Sequence, residues 1–472
     1  MEYSEYLNEK LSKKINTITL LFAIFSLGVC FINFFDADGD VKWLILLPVV
    51  HLFGELLLIM IQSRYGNNLV HSLLFAFYTI QYQLYPLFTF STGSLHLNGY
   101  SNSINGKIAD AVFLQCIVLV FVTFYCLASK KYVPQLDSLE SEDDIFFSKS
   151  AKRWIAFLIF ASILLIARYP QFLLKFRLIF YSDTNSYYSF LDASRTVRSS
   201  MPIVIYQFGL WMLQITKLLV TYYVVISLWR MSKGKNQLFY IVLSTMVVGL
   251  LCIITTEDKA ATVFCSIAVI LLMMRLYPRY IKTIIGFSAG ALTIFIIGGF
   301  IVAPFLNSGS IDGLAYKLNA YFQGTVNVAG GLLMERHEMF RSFTGDIFRS
   351  IPMINHFFVD YPMSYIEFNQ AIGYDTVYNS QIIPIIVQGN YYFGIFGAVG
   401  YPILLISFAK KRFVKMIGAS GSFEFFMYAM LFVFSFLGLF LYDLALTFSQ
   451  IMNYCFPVFC VYLISTRRRK YR

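Results

Sequence analysis

The segment 305–384 decides how this chain is read. It contains LNAYFQGTVNVAGGLLMERHEMFRSF (318–343), FVDYPMSYIEF (358–368) and GYDTVYNSQIIP (373–384), and it is flanked on both sides by long apolar runs. Two of the five histidines (His337, His356) and three arginines (Arg336, Arg341, Arg349) fall in it. A connector of this length with no structure of its own is uncommon in a compact protein. A stretch so rich in Tyr, Phe and Ile has enough apolar surface to fold. The segment therefore reads as a folded cap on a membrane-embedded body, with any chemistry expected beneath it.

Working outward, the rest of the chain is mostly apolar. Hydrophobic residues make up 58% of the 472 positions and charged residues 13%, against about 25% charged in a soluble domain. A membrane span takes about 20 predominantly apolar residues. Twelve such runs are expected, at 15–34, 42–61, 69–88, 108–127, 154–167, 202–229, 237–254, 260–274, 284–303, 385–408, 423–442 and 446–465. The first follows a polar, Lys-containing head and precedes many more, so it reads as a span and not a cleaved signal. The expected class is all-α, a polytopic bundle of about 12 transmembrane helices. It divides into 1–304 with nine spans and a polar segment at 168–201, the cap at 305–384, and 385–472 with three spans and a basic tail.

The net charge of +11 does not signal nucleic acid, because the basic residues sit in short segments between apolar runs. Alternate segments, including Lys130–Lys131, Arg230–Lys235, Lys410–Lys415 and the tail Arg467–Arg472, hold 24 of the 37 Lys and Arg. Positive residues accumulate on the cytoplasmic side, so these segments and both termini are expected there, and the cap outside. The seven cysteines all lie within apolar runs without metal-ligand spacing, and read as small buried hydrophobes. No metal or cofactor is expected.

Basic residues on the outward side break the charge rule and so attract attention. They are Lys175, Arg177, Arg195 and Arg198 in the 168–201 segment, Lys259 in the hairpin TTEDK (255–259), and Arg336, Arg341 and Arg349 in the cap. Some are solvated surface; the others suggest an anionic ligand, since guanidinium grips phosphate oxygens in pairs. Glu257-Asp258-Lys259 is either a solvated turn or a dip into an outer cavity, where Lys259 meets an anion and a carboxylate serves as base. Within spans, His51 and Glu55 at i, i+4 read as a structural pair. Lys217, near mid-span, must face other helices or a cavity. His337 is either a surface residue or a base.

Taken together these features resemble the bacterial repeat-unit polymerases of O-antigen and capsule synthesis, the Wzy type within the wider group that includes O-antigen ligases. The resemblance rests on the dozen spans, the medium segment before a long sixth span, the charged hairpin TTEDK and one large late loop. In sequence it is carried by Asn379-Ser380, Pro384 and the string GNYYFGIFGAVG (389–400). Where the ligases carry a His this chain has Asn379, which cannot act as an imidazole base. At the hairpin it offers Asp258-Lys259 where many relatives have a small residue and Arg. The resemblance implies a GT-C-like bundle in the bacterial plasma (inner) membrane that joins undecaprenyl-diphosphate-linked glycans at the outer leaflet. It implies membrane lipid and possible chain-length regulator proteins as partners, and no nucleic acid.

In that chemistry a sugar hydroxyl attacks an anomeric carbon and a lipid diphosphate leaves, so fixed cations would be the main catalytic term. Arg195, Arg198, Arg336 and Arg341 are the expected diphosphate ligands. Lys259 joins them at the catalytic centre, with Asp258 or His337 as base. Asp375, Tyr378 and Asn379 are the expected glycan contacts. The competing class is a lipid-linked oligosaccharide flippase or other secondary transporter, which twelve spans and intramembrane Lys217 and Glu55 would also suit. An acyltransferase is disfavoured, since no His/Asp pairing stands out in an apolar run.

Overall fold

The structure is a computed structural model. It describes residues 6–66, 68–93, 95, 102–129, 149–175, 177–178, 196–255, 259–296, 318–319, 322–335, 338–352, 354–373 and 381–467.

Each of the twelve apolar runs is mainly helical over its described residues. In chain order these are α1 (Ser12–Ile32), α2 (Leu46–Tyr65), α3 (Leu69–Thr79), continued through a π turn into α4 (Tyr85–Thr92), α5 (Ile108–Ala128), α6 (Lys149–Arg168), α7 (Ile203–Met231) and α8 (Gln237–Ile253). Then come α9 (Lys259–Leu276) and α10 (Ile281–Ile296). The cap contributes α11 (Thr325–Gly331), α12 (Met339–Phe348) and α13 (Ser364–Ala371). The last are α14 (Ile385–Ile417), α15 (Ser422–Leu441), α16 (Leu444–Gln450) and α17 (Phe456–Arg467). Among the described residues seven helices are long and apolar enough to cross a membrane alone, with α16 and α17 together making one of them. An eighth arises if Ala260–Leu276 and Pro278–Ser288, bent by 110° at their junction, act as one span. The protein is an all-α, multi-pass membrane bundle. The sole ladder among the described residues pairs Arg177 with Thr255 and Leu178 with Ile254.

Local chemistry explains several helix ends. Asn68 accepts from the amides of Val70 and His71 and starts α3, and Asn236 does the same for Leu238 at α8, which satisfies N–H groups that a helix start otherwise leaves open. Gly93 ends α4 in the left-handed region at φ 72°, where a side chain would be strained.

The centre of the fold is α15, whose faces are filled by phenylalanines. Phe425, Phe426, Phe434 and Phe440 are all buried, and α15 packs along α14 and α9. Many polar side chains in the membrane helices find partners on neighbouring helices. Asn16 donates to Gln62 at 2.6 Å, Ser12 meets Ser72 at 2.5 Å, and Thr19 donates to Glu55. His51 bonds to the Phe75 carbonyl and to Gln83, both at 3.2 Å, and stands 3.9 Å from Glu55. The expected His51–Glu55 pair is thus a contact inside a wider network that ties α1, α2 and α3 together, as burial in lipid demands. All seven cysteines are free thiols.

The string GNYYFGIFGAVG lies where α14 breaks. Phe393 (φ −130°, ψ 17°) and Gly394 (φ 61°, ψ −151°) leave helical geometry, and the chain turns so sharply that the backbones of Gly389 and Gly397 touch. A Cβ on either glycine would overlap the carbonyl of the other. Gly389→Ala should therefore cost about 1–3 kcal/mol, read as a lower unfolding midpoint of the purified protein. Gly400, with open space around it, should tolerate the same change.

Candidate functional site: a cleft under the cap

The cap is bolted to the bundle by a few buried polar side chains. Gln323 donates to the carbonyls of Tyr442 (2.9 Å) and Leu439 (3.4 Å) and accepts from the Ile385 amide at 3.0 Å. It holds φ 54° to do so, a conformation uncommon for a residue with a side chain. Just beyond it, α11 is wholly buried, with Thr325 donating to Gln115 of α5 at 2.9 Å. The first described helix of the cap is therefore part of the packed interior. Its small residues allow this: a Cβ on Gly330 or Gly331 would overlap Ile372 or Val387.

The second bolt is Asp346, on the inner face of α12. Its Oδ1 accepts from the Ser364 amide at 3.0 Å. Its Oδ2 meets the Ser364 hydroxyl at 2.5 Å, the Gln388 side-chain amide at 2.6 Å and the Tyr392 hydroxyl at 2.7 Å. Gln388 in turn accepts from the Leu444 amide at 2.8 Å, where buried Asp443 caps α16 through Leu446. Burial raises the Asp346 carboxyl above the ordinary carboxylate range, against the lowering effect of its hydrogen bonds. Burial, aided by the charge of Asp346, pushes Asp443 up to about 8.

These bolts fix the segment after α12 over a cleft of about 250 Å³ between the cap, α7 and the last two helical segments. From α7 come Gln207, Trp211 and Gln214, spaced so that they share one face of the helix. From the cap come Arg349, Ser350 and Asn355; from the chain's end come Ser449, Gln450, Asn453 and Tyr454. The walls are cross-linked: Trp211 donates to Asn453 at 2.7 Å, Gln214 to Tyr454 at 3.3 Å, and Gln207 to Asn355 at 3.4 Å. Among the described residues Arg349 is the sole charged side chain in the lining, and no carboxylate lines it. One guanidinium nitrogen, Nη1, donates to the Tyr361 carbonyl at 2.8 Å. The Nε and Nη2 edge makes no further bond among the described residues.

Such a surface is suited to a polyhydroxylated, anionic ligand. Five amide side chains (Gln207, Gln214, Asn355, Gln450, Asn453) offer donors and acceptors matched to hydroxyls. Trp211 and Tyr454 offer rings against which a sugar face can pack. Arg349 offers a forked cation. The volume falls below the roughly 300–1,000 Å³ of drug-sized pockets, so it suits a monosaccharide-sized group and not a whole lipid-linked unit. Among the described residues no group of three or more His, Cys, Asp or Glu is arranged to hold a metal.

Most residues singled out from the sequence fall elsewhere. Arg195, Asp258, Arg336, His337, Asp375, Tyr378 and Asn379 lie outside the described residues, and Lys259 is described only as the first residue of α9. Arg198 is exposed on the short helical turn before α7. Arg341 is exposed, bonds to Glu338 at 3.2 Å and lies over the Tyr361 ring, so it already carries a counter-ion. Neither lines the cleft. Lys217 lies three residues beyond Gln214 on α7 and donates to the Ile254 carbonyl, at the strand pair next to the TTEDK hairpin. Sequence reasoning counted Arg349 among the outward cations and passed over its partners. The available signal was the series Gln207, Trp211, Gln214, Lys217, polar groups at helical spacing inside an apolar run.

No protein-family model, curated protein or solved structure matches this chain.

Proposed function

We propose that this protein is a membrane glycosyltransferase of the Wzy type, polymerising undecaprenyl-diphosphate-linked oligosaccharide units at the outer leaflet of a bacterial plasma membrane, with both termini cytoplasmic. The observation that carries the reading is the cleft: a lone arginine among five amides and two aromatic rings, held between the cap and the membrane helices. In the reaction, a terminal sugar hydroxyl of one unit attacks the anomeric carbon of another. The new C–O bond forms as the bond from that carbon to the phosphate oxygen breaks, undecaprenyl diphosphate leaves, and the hydroxyl proton passes to a base.

One guanidinium cannot balance a diphosphate by itself. In this proposal the cleft orients the glycan, while Lys259, the arginines at 195, 198 and 336, and Arg341 once released from Glu338 meet the leaving group, with Asp258 or His337 as base. Rigidity of the cap favours an enzyme over a carrier. Alternating access moves one bundle against another, whereas Gln323 and Asp346 tie the cap to α14 and the α15–α16 junction.

The test is genetic and chemical. Cells lacking the protein should display surface glycans one repeat long, and the purified protein should lengthen lipid-linked units in vitro into a ladder on gels. Undisplayed lipid-linked units accumulating on the cytoplasmic side would instead make it a flippase and end the polymerase reading.

A further inference from the structure

The cap helix α12 is built inside out. Its buried residues are Ser342, Gly345 and Asp346, and its exposed face carries Phe340 (77% exposed), Ile347 and Phe348. The polar side faces inward because its partners are there: Ser342 donates to Glu367, and Asp346 gathers Ser364, Gln388 and Tyr392. Gly345 lets the backbone lie flush against the Pro362 carbonyl. The apolar face continues through Phe358, stacked on Phe348 at 4.6 Å, to Phe357 (80% exposed) and Val359. A water-facing helix shows the opposite pattern, apolar stripe inward and polar stripe outward. In lipid the apolar side can face out.

The patch also joins a surface already in the bilayer. Phe343 of α12 packs edge-on against Phe393 of α14 at 5.7 Å, and Phe393, Ile395 and Phe396 are exposed on that membrane-spanning helix. We propose that the cap is itself a membrane-binding element, with the face formed by Phe340, Ile347, Phe348, Phe357 and Val359 lying among the acyl chains of the leaflet on its side. Exposed apolar area of this kind marks contact with a partner, and continuity with α14 assigns the partner as lipid. Glu338, Arg341 and Asp360, all exposed, lie at the headgroup level, where charged ends of interfacial helices sit. Arg349 follows Phe348 directly, so the mouth of the cleft is at headgroup depth and accessible to a lipid-borne ligand. The inference does not depend on the polymerase reading.

Thiol accessibility in native membranes tests it. Phe340→Cys and Phe357→Cys are compared with Glu338→Cys, with the protein lacking an added thiol as blank and labelling after denaturation as the total. Glu338 has only 49% of its side chain exposed, so exposure alone predicts faster labelling at the two phenylalanine positions. The expected result is the reverse: a charged maleimide reacts at least tenfold slower at positions 340 and 357 than at 338, because a thiol among acyl chains is kept from water and from forming its thiolate. Spin labels attached at 340 and 357 in detergent and carried into lipid vesicles should then collide more with dissolved oxygen than with a water-soluble nickel chelate. Equal rates with the charged maleimide would put the patch in water and overturn the proposal. Spin labels shielded from both oxygen and nickel would put a protein partner on it and overturn the proposal equally.

Discussion

Replacing Arg349 by alanine is expected to lower chain growth about 10²–10³-fold, the cost of losing one preorganised charged donor in a partly desolvated site, while the protein accumulates in the membrane in normal amounts. Arg349 is the sole ionised group in the cleft lining and has no carboxylate partner among the described residues, so its favourable interaction is left for the ligand. Arg349 also holds the Tyr361 carbonyl, and losing that single bond should cost about 1 kcal/mol of stability. Two variants separate these roles. Arg349→Lys keeps the charge but loses the fork, and should retain a fraction of activity. Asn355→Ala breaks only the bond to Gln207 and should raise the substrate concentration needed for half-maximal rate more than it lowers turnover. The rates are read from ladder formation on lipid-linked units. Full activity in Arg349→Ala would remove the cleft from the reaction.

Hydropathy located the membrane helices because each must satisfy its own backbone in lipid, which leaves a long apolar run as its trace. The glycine string 389–400 likewise marked a special place, since a break at Phe393-Gly394 with backbone touching backbone needs residues without Cβ. The functional surface left a fainter trace. Its walls come from 207–214, 349–355 and 449–454, and its cross-links span 148, 242 and 240 positions. Asp346 draws its partners from 18, 42 and 46 residues away. Nothing local distinguishes such an aspartate from one that faces water. Counting cations by side of the membrane found Arg349 and Arg341 alike. It could not tell the one facing a cleft from the one already neutralised by Glu338.

Asp346 sets the largest expected change in stability. Asp346→Ala leaves the Ser364 amide and hydroxyl, the Gln388 amide and the Tyr392 hydroxyl without their common acceptor, and Gln388 also ties the start of α16. Unsatisfied buried donors in one network make this a loss of about 2–4 kcal/mol, seen as rapid proteolysis of the cap while the membrane helices stay intact. Asp346→Asn is more informative. Burial holds the native carboxyl above the ordinary range, and asparagine removes that titration. Either orientation of its amide turns the NH2 group on an N–H donor, that of Ser364 or of Gln388, so this variant should lose less stability than Asp346→Ala while giving up the pH dependence of this position. The pH dependence follows with a definite sign. A raised carboxyl contributes stability that is fully present below its unfolded value and lost as pH rises through its folded value. For Asp443 that window runs from 3.8 to about 8, and Asp346 acts in the same direction. Protease resistance of the cap should therefore decline from about pH 4 to about pH 8 in the native protein and then level off. It should decline less in Asp346→Asn, and least when Asp443→Asn is added, since asparagine keeps the cap on α16. A native cap that instead strengthens as pH rises would mean that both carboxyls are ionised and that the hub works as a paired anion.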